Sequence, residues 1–117
     1  MKAFLVALAI LVSFVSYSAE PGKTQKDVER LIASVEKSDC VFIRNGSEHS
    51  PKDAAQHMRR KYDHFKKQIR TPDDFIEKCA TKSELSGKAY MVKLPDGKMV
   101  PCSEWLRAKL AKDDTGL

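Results

Sequence analysis

No apolar run in this 117-residue chain reaches the roughly 20 residues that a membrane-spanning helix requires. The nearest approach, Ala3 to Val15, is too short and is broken only by the hydroxyl of Ser13. The three cysteines, Cys40, Cys79 and Cys102, contain no C-x-x-C pair, which excludes a vicinal dithiol and a zinc ribbon. Ser86-Gly87 lacks the G-x-S-x-G frame of a hydrolase elbow. Asn45-Gly46 lacks the G-x-x-x-x-G-K-S/T frame that cradles a nucleotide phosphate. Both dipeptides are turns. No basic stripe interleaved with aromatics is present, so nucleic acid is not expected as a partner. Internal repeats and low-complexity tracts are absent too.

What is present starts with a charged head, Met1-Lys2, on that apolar run. Small residues follow in Ser16-Tyr17-Ser18-Ala19, and polarity rises sharply at Glu20-Pro21-Gly22-Lys23. This grammar predicts a cleavable secretory signal over residues 1–19, with an uncleaved N-terminal anchor as the competing reading. Cleavage after Ser18 puts serine at both small-residue positions, whereas cleavage after Ala19 puts Tyr17 at one of them. No cysteine lies in the region to carry a lipid. The expected location is periplasmic or secreted, with no stable membrane anchor after cleavage. Residues 20–117 have the length of one domain. Loss of Lys2 lowers the formal charge from +5 to +4, and the charges are mixed along every helix.

The mature chain alternates helical and strand patterns. Thr24 followed by Asp27 resembles a capping box, and Val28, Leu31, Ile32 and Val35 continue at helical spacing to about Ser38. Cys40 to Arg44 reads as a strand stopped by Asn45-Gly46, the strongest short hairpin signal, with Ser47-Glu48-His49 as a returning stub. Ser50-Pro51-Lys52-Asp53 opens the longest helix: an N-cap, a proline at the first helical position and an acid facing the positive end of the dipole. Ala54, Ala55, Met58, Tyr62, Phe65 and Ile69 form its apolar stripe to about Arg70. Thr71-Pro72-Asp73-Asp74 repeats the opening and launches a shorter helix through Ala80. Ser83 to Lys88 is a loop. Tyr90, Val92 and Leu94 alternate in a strand that turns at Pro95-Asp96-Gly97 and pairs back through Lys98-Met99-Val100. A last helix from Cys102 carries Trp105, Leu106 and Leu110, and Ala111 to Leu117 is a polar tail. The expected fold is α+β in the order αβααββα, a small antiparallel sheet against about four helices.

Phe42 to Gly46, then Ala55-Gln56-His57-Met58-Arg59 and Lys61, carry a resemblance that continues through Thr71 to Ile76, Ala80 to Ser83, Ser86 to Tyr90 and Trp105-Leu106. In this order they resemble the YfeK-like family of small exported bacterial proteins, a domain of unknown function. The resemblance covers nearly all of the mature domain and implies fold and export but no activity. Where the family often has proline after Ser-Gly-Lys, this chain has Ala89.

Among the candidates for chemistry, His57 and His64 share a helix face but stand two turns, about 10 Å, apart. Zinc ligands on a helix are usually three or four residues apart, so no metal and no cofactor are expected. Arg59, Arg60, Lys61, Lys66, Lys67 and Arg70 are spread round the long helix and read first as a solvated face. The surface that stands out combines a strand end, its turn and one helix face: Arg44, Asn45, His57 and Lys61. It suits a non-catalytic binding or interaction module, with an envelope or periplasmic protein as partner. The alternative is a small periplasmic hydrolase or metal-dependent enzyme using His57 with Arg44, Asn45 and Lys61.

The cysteines complete the picture. In an oxidising compartment thiols tend to pair. The hairpin at Pro95-Asp96-Gly97 returns Cys102 to the level of Tyr90, and the short loop after the third helix brings Cys79 to the same end of the sheet. A Cys79–Cys102 disulfide with Cys40 reduced and buried is expected, with Cys40–Cys102 as the alternative. Non-reducing peptide mapping of protein recovered from the periplasm tests both expectations at once. The N-terminal peptide should begin at Ala19 or Glu20, and one linked peptide should join Cys79 to Cys102. Recovery of Met1 would sink the leader; a link from Cys40, or three freely alkylated thiols, would sink the pairing.

Overall fold

A computed structural model describes residues 22–114, so the expected leader lies outside the described residues. The elements run α1 (Lys23–Glu36), β1 (Val41–Arg44), β2 (Ser47–His49), α2 (Pro51–Phe65), a 3-10 turn (Lys66–Gln68), α3 (Pro72–Cys79), β3 (Met91–Lys93), β4 (Met99–Pro101) and α4 (Cys102–Asp114). The fold is α+β. The stub after Asn45-Gly46 is a paired strand, and the four strands form one antiparallel sheet in the order β2-β1-β3-β4.

Register explains how the sheet meets the helices. Phe42 lies opposite both His49 and Val92, and Val92 opposite Val100. This single row runs across the sheet, with Phe42 and Val92 buried at its centre. Trp105 of α4 meets the Phe42 ring edge-on at 5.8 Å. Both α2 and α4 pack on the sheet, and α1 packs on α2, α3 and α4. The core therefore holds Leu31, Ile32, Met58, Phe75, Ile76 and Leu106 between helices, and all but Met58 are almost completely enclosed. Burial of such side chains contributes roughly 1.5–3 kcal/mol each, the main favourable term for a domain of this size.

The start signals of two helices are realised as local chemistry. Ser50 accepts the backbone N–H of Asp53 at 3.1 Å, with Pro51 behind it. Thr71 accepts from Asp74 N at 3.1 Å, while the Asp74 carboxylate accepts from the Thr71 and Arg70 amides, a complete capping box. Each cap satisfies amides that would otherwise lack partners at the helix start.

Three expectations are corrected. Thr24 does not cap α1, which begins beyond Gly22; its hydroxyl instead donates to the Arg70 carbonyl at 2.7 Å, tying α1 to the entry of α3. The long helix ends at Phe65, not Arg70. The 3-10 turn that follows re-aims the chain, so Ile69 is buried but Phe65 is only half-buried at the core edge. The last helix continues to Asp114 through residues expected in a polar tail.

Phe75, wholly enclosed and edge-on to Tyr62 at 5.9 Å, takes the central place. Phe75→Ala should lower stability by about 3–5 kcal/mol in urea denaturation, and Phe65→Ala by clearly less. Equal losses would contradict this packing.

Candidate functional site

The residues singled out by sequence meet in one cleft. The β1–β2 turn places Arg44 and Asn45 at one wall. Asn45 and Gly46 have φ of 52° and 80°, the left-handed pair that a two-residue hairpin with right-handed strand twist demands. The second wall is α2, where His57 and Lys61, four residues apart, project from one face. The third is the loop Ser83 to Lys88, closed by an Ser83 N–H to Lys88 carbonyl bond at 3.0 Å and a Gly87 N–H to Ser83 carbonyl bond at 2.8 Å. Tyr90 forms the floor. Together they enclose a cavity of about 330 Å³ lined by Arg44, Asn45, His57, Lys61, Glu84 and Tyr90, with Ser83 and Leu85 beside them.

Side-chain roles within the cleft differ. Asn45 is used structurally: its amide donates to the buried Ser83 Oγ at 3.4 Å, and its carbonyl oxygen accepts the Ser86 hydroxyl. The turn thus holds the loop against the sheet. Lys61 donates to the Tyr90 hydroxyl at 3.4 Å, lies 5.3 Å from the centre of its ring and pairs with Glu84 at 3.1 Å. His57 Nε2 stands 3.4 Å from the same hydroxyl. Lys61 can only donate, so the Tyr90 hydroxyl accepts from it, and the neutral His57 ring lies within hydrogen-bonding distance of the same hydroxyl. Arg44 has no carboxylate in ion-pair contact among the described residues.

Burial, then the cations of Arg44, Lys61 and Arg60 with a small effect of His49, lowers the His57 pKa to about 4. The imidazole is neutral at physiological pH. Below the cleft lies a second cavity of about 20 Å³, room for one water, which shares Arg44, His57 and Tyr90 with it. Cys79 and Cys102 both line this lower cavity. Cys40, Cys79 and Cys102 are buried free thiols in the structure. Burial pushes Cys79 up to about 11, against the pull of Lys61, and Cys102 up to about 12. Neither supplies a thiolate near neutral pH.

The remaining histidines do not line the cleft. His64 stacks edge-on to Phe65 at 4.7 Å. Among the described residues no group of three His, Cys, Asp or Glu side chains could hold a metal ion. The basic set expected round the long helix is likewise dispersed: Arg59 of α2 pairs with Glu36 of α1 at 3.2 Å, and Lys66 of the 3-10 turn lies over the Tyr62 ring at 5.7 Å.

With this geometry established, kinship is plain. The model of a family of unknown function, DUF5329, matches residues 22–114. The chain belongs to the DUF5329 family. It is 28% identical over 90 residues to an uncharacterised protein, YfeK, of Salmonella typhimurium, covering 76% of this chain and 75% of that relative. No solved structure matches it. The match to the DUF5329 family takes in every wall of the cleft.

Tyr90, Glu84, Leu85, Ser83 and Ser86 were not singled out from the sequence of this DUF5329 domain. In the sequence Tyr90 is the first position of an alternating strand and Ser86-Gly87 a turn, and Ser83, Ser86 and Tyr90 figure otherwise only in the family resemblance. An apolar Leu85 in a polar loop was the one available signal.

His57 also sets a pH dependence. Between about 4 and 6.5 the unfolded chain binds a proton at this imidazole that the folded chain refuses, so stability falls as pH is lowered through that window. In urea denaturation His57→Gln should reduce this fall relative to wild type. Identical pH profiles would place the imidazole in water.

Proposed function

We propose that this DUF5329 protein is an exported, non-catalytic binding module whose ligand sits in the cleft between the β1–β2 turn, α2 and the Ser83 to Lys88 loop. The observation that carries this is the convergence of Arg44, His57, Lys61 and Tyr90 on one open cavity of about 330 Å³, a volume suited to a small ligand or the end of a chain. Export rests on the charged, apolar and small-residue pattern of residues 1–19.

The chemistry of the cleft favours binding over turnover. His57 is a weak base, protonated only near pH 4, and its ring partner is a tyrosine rather than an orienting carboxylate. Ser83 and Ser86 are engaged with Asn45. A hydrolase or metal-dependent enzyme using His57 with Arg44, Asn45 and Lys61 draws no support from this arrangement.

We also propose that Cys79 and Cys102 pair on export, because both face the same small cavity. Their two thiols would lose two protons and two electrons to an envelope disulfide oxidant, which is itself reduced to a dithiol. The raised pKa of both thiols makes the folded, reduced form slow to react, so pairing belongs to the folding chain.

The binding reading is tested with the mature protein immobilised beside its Arg44→Gln/Lys61→Met variant. Both are exposed to periplasmic extract, and retained proteins and small molecules are compared by mass spectrometry. At least one component should be retained by wild type and reduced about tenfold or more on the variant, with melting temperatures alike. Identical profiles would overturn the proposal.

A further inference from the structure

The charges of the cleft do not balance. Two cations, Arg44 and Lys61, face it with one carboxylate, Glu84, while His57 is neutral. Lys61 is the enclosed partner of the Lys61–Glu84 pair: its side chain is 11% exposed, against 55% for Glu84. Glu84 belongs to a loop held from the turn side by Asn45, through Ser83 and Ser86, so its carboxylate is the part that can swing into water. Next to it Leu85 is fully exposed at the cleft, an apolar side chain that the core does not use.

We infer that the cleft binds a monocarboxylate flanked by an apolar side chain, as at the C-terminus of a peptide, and that Glu84 is the internal carboxylate which this ligand displaces from Lys61. The Lys61–Glu84 contact demonstrates the geometry, since a carboxylate oxygen already rests 3.1 Å from the ammonium. A ligand carboxylate in that place lies in the cleft that Arg44 also lines, so the guanidinium can turn towards it, and it leaves Glu84 free to be solvated. Its apolar group covers Leu85. Even swung aside, Glu84 stays on the adjoining loop, so the net charge at the cleft mouth remains one positive, which suits a monoanion better than a phosphate dianion. Glu84 then sets a threshold: only a ligand that gains more from Lys61, Arg44 and the apolar contact than Glu84 loses will enter. This ligand class rests on the cleft being a binding site.

The test is a titration of the folded mature protein, followed by amide chemical shifts, with N-acetyl-leucine, its primary amide and inorganic phosphate at matched ionic strength. N-acetyl-leucine should shift the amides of residues 44–46 and 83–88, and the uncharged amide should not. Glu84→Gln should tighten N-acetyl-leucine by about fivefold, as loss of one partly exposed competing ion pair predicts. Lys61→Met, which keeps the apolar stem, should weaken it by about tenfold or more with the spectrum otherwise unchanged. Leu85→Ser should weaken N-acetyl-leucine while leaving acetate unaffected. Equal binding of acid and amide, tighter binding of phosphate, shifts confined to other surfaces, or an unchanged Glu84→Gln affinity would each overturn the inference. If a component of periplasmic extract still depends on Arg44 and Lys61 while N-acetyl-leucine does not bind, the ligand class falls and the binding module stands.

Discussion

Tyr90 is the point at which the framework and the cleft become one structure. Its ring is buried, its amide donates to the Thr81 carbonyl at the exit of α3, and its carbonyl accepts the Cys102 amide at the start of α4. Its hydroxyl then meets Lys61 and His57 on α2. Three segments are thereby fixed about one residue. A buried phenol needs partners for its hydroxyl, and here those partners are the two α2 side chains that line the cleft. The positions of His57 and Lys61 therefore follow from the packing of the sheet and not from a separate binding loop.

The electrostatics follow from the same burial. Removing His57 from water disfavours its charged form, and the neighbouring cations reinforce this, so a neutral imidazole stands beside the Tyr90 hydroxyl. Lys61 is held in place by Glu84, the face of the Tyr90 ring and its hydroxyl. Arg44 adds a cation without an ion-pair partner among the described residues. The cleft is thus positive because a histidine is neutral and its single carboxylate pairs with only one of two cations. Elsewhere the surface charges are met locally, as where Arg107 of α4 reaches Asp73 and Glu77 of α3.

Much of this was legible residue by residue where the governing interaction is local. Ser50-Pro51 and Thr71-Pro72 announce helices because the cap and the missing proline donor act within one turn. Asn45-Gly46 announces the hairpin because few other residues tolerate two successive left-handed conformations. The surface of Arg44, Asn45, His57 and Lys61 was inferred from those local elements, and the structure brings all four to one cleft. Legibility failed where two distant segments compete for one group. Thr24 has the chemistry of a cap yet bonds Arg70, 46 residues away. Phe65 fits the apolar stripe, yet the helix stops there and its ring stays at the core edge.

The sequence by itself determined the element types, the antiparallel hairpins and the helix face carrying His57 and Lys61, because periodicity, caps and turn residues act over a few positions. Tertiary structure alone decided what those groups do. It set the loop of Glu84 and Leu85 against the β1–β2 turn, assigned Asn45 to holding that loop, and kept His57 neutral. Desolvation and charge depend on distances between residues far apart in the chain, and no local pattern encodes those distances.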